Sequence, residues 1–125
     1  MNVILSIKPK YCKMILSGVK KYEFRKKFPK DVKYVYIYAT SPIKKLVGKF
    51  KVGEIIEGSP TELWIRFRKY GGIDEDEFFK YYKGASKGYA IQIEKVRTFS
   101  PIDPKTIMFD FKPPQSYKYT SDIFL

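Results

Sequence analysis

Gly18, Lys20, Glu23 and Arg25 are the densest group of chemistry-bearing residues in this chain, in the pattern G-x-K-x-x-E-x-R. The pattern falls where a helix should end and a strand begin. The glycine allows a sharp turn. On a strand, Glu23 and Arg25 project from one face, close enough to pair. Lys20 sits at the turn and adds a second cation near the same rim. Two cations and a carboxylate can hold a phosphate and hydrogen-bond a base edge at once. In a catalytic role, Lys20 and Glu23 would act as base and acid, with Arg25 as phosphate clamp. A lysine base needs its pKa lowered by burial or by neighbouring cations. The plain alternative is an ordinary ion pair on an exposed strand.

Other chemistries are removed by what the chain lacks. Its 125 residues include one cysteine, Cys12, and no histidine. No intramolecular disulfide, Cys/His zinc site, Ser-His-Asp triad or imidazole base can be built. Cys12 lies on an apolar helical stripe and is expected in the core. Asp74-Glu75-Asp76-Glu77 suits a helix start better than a metal site. No metal and no cofactor is expected. No apolar run approaches the ~20 residues that span a bilayer, and the first residues lack a signal-peptide pattern. A cytoplasmic protein with no membrane contact is expected, its oligomeric state left open.

Charge points to a polyanion. The net charge is +12, and residues 1–51 carry 14 basic and 2 acidic residues. Residues 52–125 carry 11 of each. The whole excess therefore sits in the first two-fifths of the chain, which suits nucleic acid or an anionic surface. Against this, 21 of the 25 basic residues are lysine, and a lysine-rich surface can serve solubility alone.

The elements that must position these groups can be read from periodicity. Val3–Ile7 alternates and reads as a strand. Pro9 opens a helix carrying Tyr11, Cys12, Ile15 and Leu16 on one stripe, stopped by Gly18. Lys21–Phe28 and Lys33–Thr40 read as strands. Tyr34, Tyr36 and Tyr38 share a face, expected to pack beneath the helices. Ser41-Pro42 begins a turn with room for a short helical piece. Leu46–Glu57 is a strand in which Gly48 and Gly53 mark bulges of a curved sheet. Ser59-Pro60-Thr61-Glu62 and Asp74-Glu75-Asp76-Glu77 are capping boxes that open two helices. Ile73 can staple onto Phe78, and Trp64 should anchor helix to barrel. Gly88–Phe99 is a further strand. From about residue 100 the proline-rich tail should run extended, with at most a short strand or turn. The class is α+β: a small β-barrel of about five to six strands with about three helices. All 125 residues read as one domain.

The motif resembles that of the ASCH (activating signal cointegrator homology) domain family, with Ile4-Leu5-Ser6-Ile7-Lys8-Pro9 ahead of it. The likeness continues through Ile37-Tyr38-Ala39-Thr40-Ser41-Pro42, Val47-Gly48-Lys49-Phe50, Ser59-Pro60 with Leu63-Trp64, and Gly88-Tyr89-Ala90-Ile91, from about Val3 to Phe99. Pro113-Pro114-Gln115-Ser116-Tyr117 is similar to the tail of a prokaryotic subgroup of predicted transcriptional regulators. The resemblance implies a PUA-like barrel with a cleft beside the motif, suited to RNA, DNA or a modified base. Some ASCH-like proteins are amidohydrolases of N4-acetylcytidine that use a lysine, a threonine and a glutamate. The lysine corresponds to Lys20. The threonine position is Glu23 here, and the glutamate would fall near Gly71-Gly72. Other members are ribonucleases.

The reading that follows is a nucleic-acid-binding module, RNA favoured over DNA, holding a modified or unpaired base in a basic cleft. Lys8, Lys20, Glu23, Arg25, Tyr38, Ser41 and Lys49 are the expected ligand contacts. Lys20 and Arg25 would hold phosphate or a base oxygen. Glu23 would orient Arg25 or accept from a base amino group. Lys21, Lys26 and Lys27 would add to the field. Two alternatives stand beside it: a small hydrolase using Lys20 and Glu23, and a protein-interaction module. Gln115 and Ser116 would either lie over the cleft or belong to a loose terminus.

Overall fold

The computed structural model describes residues 1–121 and 123. The alternation of Asn2–Ile7 makes strand β1, with Val3, Leu5 and Ile7 in one core and Ile4 in another. Pro9 takes the first position of helix α1 (Pro9–Leu16). The chain leaves α1 through Gly18, whose φ of +82° favours a residue without Cβ. Strand β2 is short, Tyr22–Arg25, where Lys21–Phe28 was expected. The alternation stops because Phe28 and Val32 turn inward to the core instead of continuing along the sheet.

Strands β3 (Tyr34–Ala39) and β4 (Lys45–Gly58) follow. The Ser41–Pro42 segment between them is a turn with a cis Ser41–Pro42 bond and no helix. Helix α2 (Pro60–Phe67) has a complete capping box between Ser59 and Glu62. A single 3-10 turn, Arg68–Tyr70, leads on to helix α3 (Glu75–Tyr82). Strand β5 runs Gly88–Ile102, three residues past its expected end. In the tail a short 3-10 turn at Pro104–Thr106 precedes the four-residue strand β6 (Tyr117–Thr120).

The six strands form one mixed sheet in the order β2-β5-β4-β3-β1-β6. The β1–β3 pair is parallel and the other four ladders are antiparallel. The sheet curls as an open barrel, since its edge strands β2 and β6 do not pair. Bulges fall along β4, where curvature demands them. At Gly48 a Cβ would lie 2.8 Å from both the Arg97 carbonyl and Leu16 Cδ2, so the strand crosses α1 closely only with glycine there.

Three cores result. The first joins α1 to the inner sheet face through Cys12, Ile15, Val3, Leu5, Val35 and Ile37. The second packs Phe24 and Ala90 beneath Leu63, Phe67, Phe78 and Tyr82 of α2 and α3. The third lies on the outward face, where Phe111 and Met108 cover Ile4, Tyr36 and Tyr38. This corrects two expectations. Tyr36 and Tyr38 are buried beneath the tail, not beneath the helices, because their strand parity turns them outward. Trp64 packs on Phe78 and Phe79, with ring centroids 5.1 and 6.0 Å away, and so joins α2 to α3. Ile73 packs against the core that holds Phe78, as the expected staple requires.

Candidate functional site

Burial is the first unusual property of the motif. Lys20 is 2% exposed and Glu23 7%. A surface ion pair on an exposed strand is therefore excluded. The turn after Gly18 is pinned by the Lys20 amide to the Met14 carbonyl at 3.0 Å and the Lys21 amide to the Tyr70 carbonyl at 2.8 Å. The β2–β5 ladder then fixes parity, with Glu23 opposite Ile91 and Arg25 opposite Tyr89. Phe24 points the other way, into the core beneath α2 and α3.

The three side chains form one cluster. Arg25 donates Nε and Nη2 to Glu23 Oε2 at 3.1 and 2.7 Å. Its Nη2 also donates to the Ser6 carbonyl at 2.9 Å, which ties edge strand β2 to the end of β1 across the open side of the sheet. Lys20 Nζ stands 3.5 Å from Glu23 Oε1 and donates to the Gly71 carbonyl. It also lies 5.1 and 5.3 Å from the ring centres of Phe24 and Tyr11. Burial pulls the Lys20 ammonium below the usual lysine range, against the opposing pull of Glu23. Burial alone would push the Glu23 carboxyl up, but Arg25 and then Lys20 outweigh it and hold it below the usual carboxylate range.

Gly71 and Gly72 close over Lys20. A Cβ on Gly72, whose φ is +65°, would lie 2.9 Å from Lys20 Cβ, and one on Gly71 would lie 2.8 Å from the Phe24 ring. At this turn the chain presents its backbone to the lysine, the Gly71 carbonyl accepting from Nζ.

Above the cluster opens a cavity of about 1060 Å³ between α1, β2 and α3, ample for a small ligand. Lys8, Lys20, Glu23 and Arg25 line it, as expected. Tyr38, Ser41 and Lys49 do not. Tyr38 packs on Phe111, ring centres 5.2 Å apart. Ser41 is exposed in the β3–β4 turn. Lys49 Nζ lies over Tyr34 and Tyr36 on the outward face.

The cavity also takes residues that the sequence reading left aside. Asp74, Glu75, Asp76 and Glu77 at the start of α3 form its far wall. The expected basic cleft is thus of mixed sign, because α3 folds its acidic end over the motif. Asp74 caps α3 by accepting the Glu77 amide at 2.8 Å. The reciprocal half of the box is missing, since Glu77 turns to Lys10 at 2.9 Å and Lys8 at 3.4 Å. The Tyr11 hydroxyl first, then Lys10, holds the Glu77 carboxyl down to about 2. That hydroxyl is buried at the cavity wall, near Glu77 but without a hydrogen bond of good geometry. Burial, then Glu77, raises its pKa. The helical stripe signalled Tyr11 as core. Its polar end, turned toward Glu77, had no signal of its own.

Cys12 is buried behind this wall, its Sγ donating to the Ile7 carbonyl at 3.4 Å. Burial pushes the thiol up to about 12. Among the described residues no group of three or more His, Cys, Asp or Glu side chains could hold a metal ion. No helix among them is long and apolar enough to cross a membrane.

The ASCH domain matches residues 5–103 of this sequence, from within β1 to the end of β5. The chain belongs to the ASCH domain family. An ASCH domain-containing ribonuclease of Zymomonas mobilis is 31% identical over 120 residues, covering 92% of this chain and 81% of its own. The crystal structure of ASCH from Zymomonas mobilis superposes with a TM-score of 0.90 at 30% identity, over 96% of this chain and 87% of that one. The large ribosomal subunit protein uL22 of Ureaplasma parvum is 30% identical over 96 residues, which is 75% of this chain and 31% of its own. The α+β architecture with its open barrel is thus that of ASCH structures.

Proposed function

We propose that this ASCH domain binds RNA, taking one unpaired nucleotide into the cavity between α1, β2 and α3. The observation that carries the reading is the buried Lys20–Glu23–Arg25 cluster on the cavity wall. Buried charges are costly and contribute little net stability. Their placement at a cavity, beside the Tyr11 hydroxyl that interacts with Glu77, is what a recognition site requires. Arg25 and Lys20 suit a phosphate or a base oxygen, and Glu23 and Tyr11 suit the polar edge of a base. The acidic wall disfavours a second phosphate inside, so the strand's backbone would pass outside it. The name of the Zymomonas relative supports RNA over DNA. Such binding would serve RNA metabolism or the regulation of transcription.

A ribonuclease is the second reading. The lowered pKa of Lys20 favours it, as does that relative. Neutral Lys20 would take the proton of a ribose 2′-hydroxyl. The 2′-oxygen would then bond to phosphorus as the P–O5′ bond breaks, and the 5′-oxygen would take a proton from water. Arg25 would hold the phosphate oxygens.

The test is an anisotropy titration of labelled trinucleotide RNA and DNA, run beside a gel assay of RNA cleavage. Binding of RNA that drops at least tenfold with Arg25→Gln, with no cleavage, is the expected result. Cleavage lost on Lys20→Met selects the second reading. RNA binding indifferent to Arg25 overturns both.

A further inference from the structure

Lys118, Lys49 and Arg97 stand on the outward face of the sheet, away from α1, on either side of Ile4 and Tyr36, which Phe111 and Met108 cover. Lys118 of β6 lies opposite Ile4 of β1, and Ile4 opposite Tyr36 of β3. Tyr36 lies opposite Lys49 of β4, and Lys49 opposite Arg97 of β5. Residues directly opposite project from the same face. The row therefore runs from β6 to β5, four strand spacings or about 19 Å. Lys51 lies two residues along β4 from Lys49 and opposite Tyr34, on the same face. Lys33 reaches over the Tyr34 ring from the strand's start, 5.8 Å from its centre.

Like charges placed opposite one another are destabilising, and Lys49 faces Arg97. Among the described residues none of Lys33, Lys49, Lys51, Arg97 and Lys118 enters an ion pair. Glu94 lies opposite Lys51 in register, yet the two do not reach ion-pair distance. Aromatic rings hold the ammonium groups of Lys33, Lys49 and Lys118 instead. Lys49 Nζ is 5.1 Å from the Tyr34 ring centre and 5.8 Å from that of Tyr36, and Lys118 Nζ is 5.6 Å from that of Phe111. A ring face fixes where a cation sits without neutralising it. The result is a positive strip whose cations form no ion pair among the described residues, matched in charge to a polyanionic strand.

We propose that this outward face is a second RNA contact, a track for the phosphate backbone of the strand whose nucleotide enters the cavity. The proposal rests on the RNA reading of the cavity and adds a surface separate from it. A track of this kind contributes affinity that grows with strand length and falls with salt. Each phosphate neutralised on single-stranded nucleic acid adds about 0.7 to the slope of log affinity against log salt.

The experiment compares a labelled 3-mer and 20-mer of RNA across a salt series. The proteins are wild type, a triple variant (Lys49→Gln, Arg97→Gln, Lys118→Gln), and a control with the same charge removed elsewhere (Lys13→Gln, Lys69→Gln, Lys83→Gln). Arg25→Gln reports on the cavity. The triple variant is expected to weaken the 20-mer about tenfold or more and to flatten its salt slope by about 2. The 3-mer should be unaffected by it, and the control should change little. If triple variant and control behave alike, the track is overturned while the Arg25 effect keeps the cavity. If the triple variant acts as expected and Arg25→Gln does nothing, the cavity reading falls and the track stands. If wild type ignores the 20-mer but binds anionic vesicles or an acidic peptide through this face, the RNA track is overturned.

Discussion

The Glu23 carboxylate accepts two hydrogen bonds from Arg25, at 2.7 and 3.1 Å, on the oxygen that points away from Lys20. The other oxygen faces the Lys20 ammonium, so one buried anion is shared by two cations. The cluster carries one positive charge more than it neutralises. Removing Arg25 leaves Glu23 with Lys20 alone and cuts the link from β2 to the Ser6 carbonyl. Arg25→Ala is expected to destabilise the fold by about 3 kcal/mol, as for a broken buried pair. Urea unfolding at pH 7 measures it, and a loss below about 1 kcal/mol would show the pair to be solvated.

Gly72 tests how tightly Lys20 is held. A methyl group there meets the Lys20 side chain at 2.9 Å and must adopt a φ of +65°. The left-handed backbone alone costs roughly 1–2 kcal/mol. Gly72→Ala should therefore lower stability by about 2 kcal/mol and displace Lys20 from the Gly71 carbonyl. A folded Gly72→Ala protein with unchanged RNA binding would remove Lys20 from the binding account.

Glu77 predicts an acid limb of stability. Its carboxyl is held down to about 2, against an ordinary value of 4.5. A depressed carboxylate contributes stability above its unfolded pKa and loses it as pH falls through the folded one. The contribution is complete above about pH 5 and fades between 4.5 and 2. Glu77→Gln should be the less stable protein at neutral pH, and the gap should close on acidification. Denaturant midpoints at pH 6, 4 and 3 read this out; a gap constant with pH would refute the coupling to Lys10 and Tyr11.

Cys12 is predicted to be chemically silent. With its thiol pushed up to about 12 and its sulfur 3% exposed as a residue, little thiolate forms and reagents cannot reach it. At pH 8 a disulfide reagent should react with unfolded protein in minutes and with native protein only as fast as it opens. Fast native labelling would contradict the burial.

Much of this fold is legible in the residues. Alternation along Val3–Ile7, the proline at position 9, and the Ser59–Glu62 box each have a local cause and each forms as expected. The motif is legible as well, since Glu23 and Arg25 need only strand parity to meet. What escaped is long-range. Nothing local in Asp74–Glu77 says that this helix start will fold against α1, so its acids read as caps and not as a cavity wall. Parity alone tells that Tyr36 and Tyr38 share a face, but not that Phe111, more than 70 residues on, will cover it. Lys49 looked like part of a cleft because its sequence neighbourhood is basic. Its register opposite Tyr36 carries it to the far side of the sheet.

The pairing of β6 with β1 sets Asn2 directly across from Thr120, so these two residues lie about 5 Å apart. A few glycines would join them. New ends could then be opened in the exposed turn at Lys83-Gly84, where α3 hands over to β5. Such a circularly permuted protein would keep every ladder of the sheet, with its first and last strands made continuous.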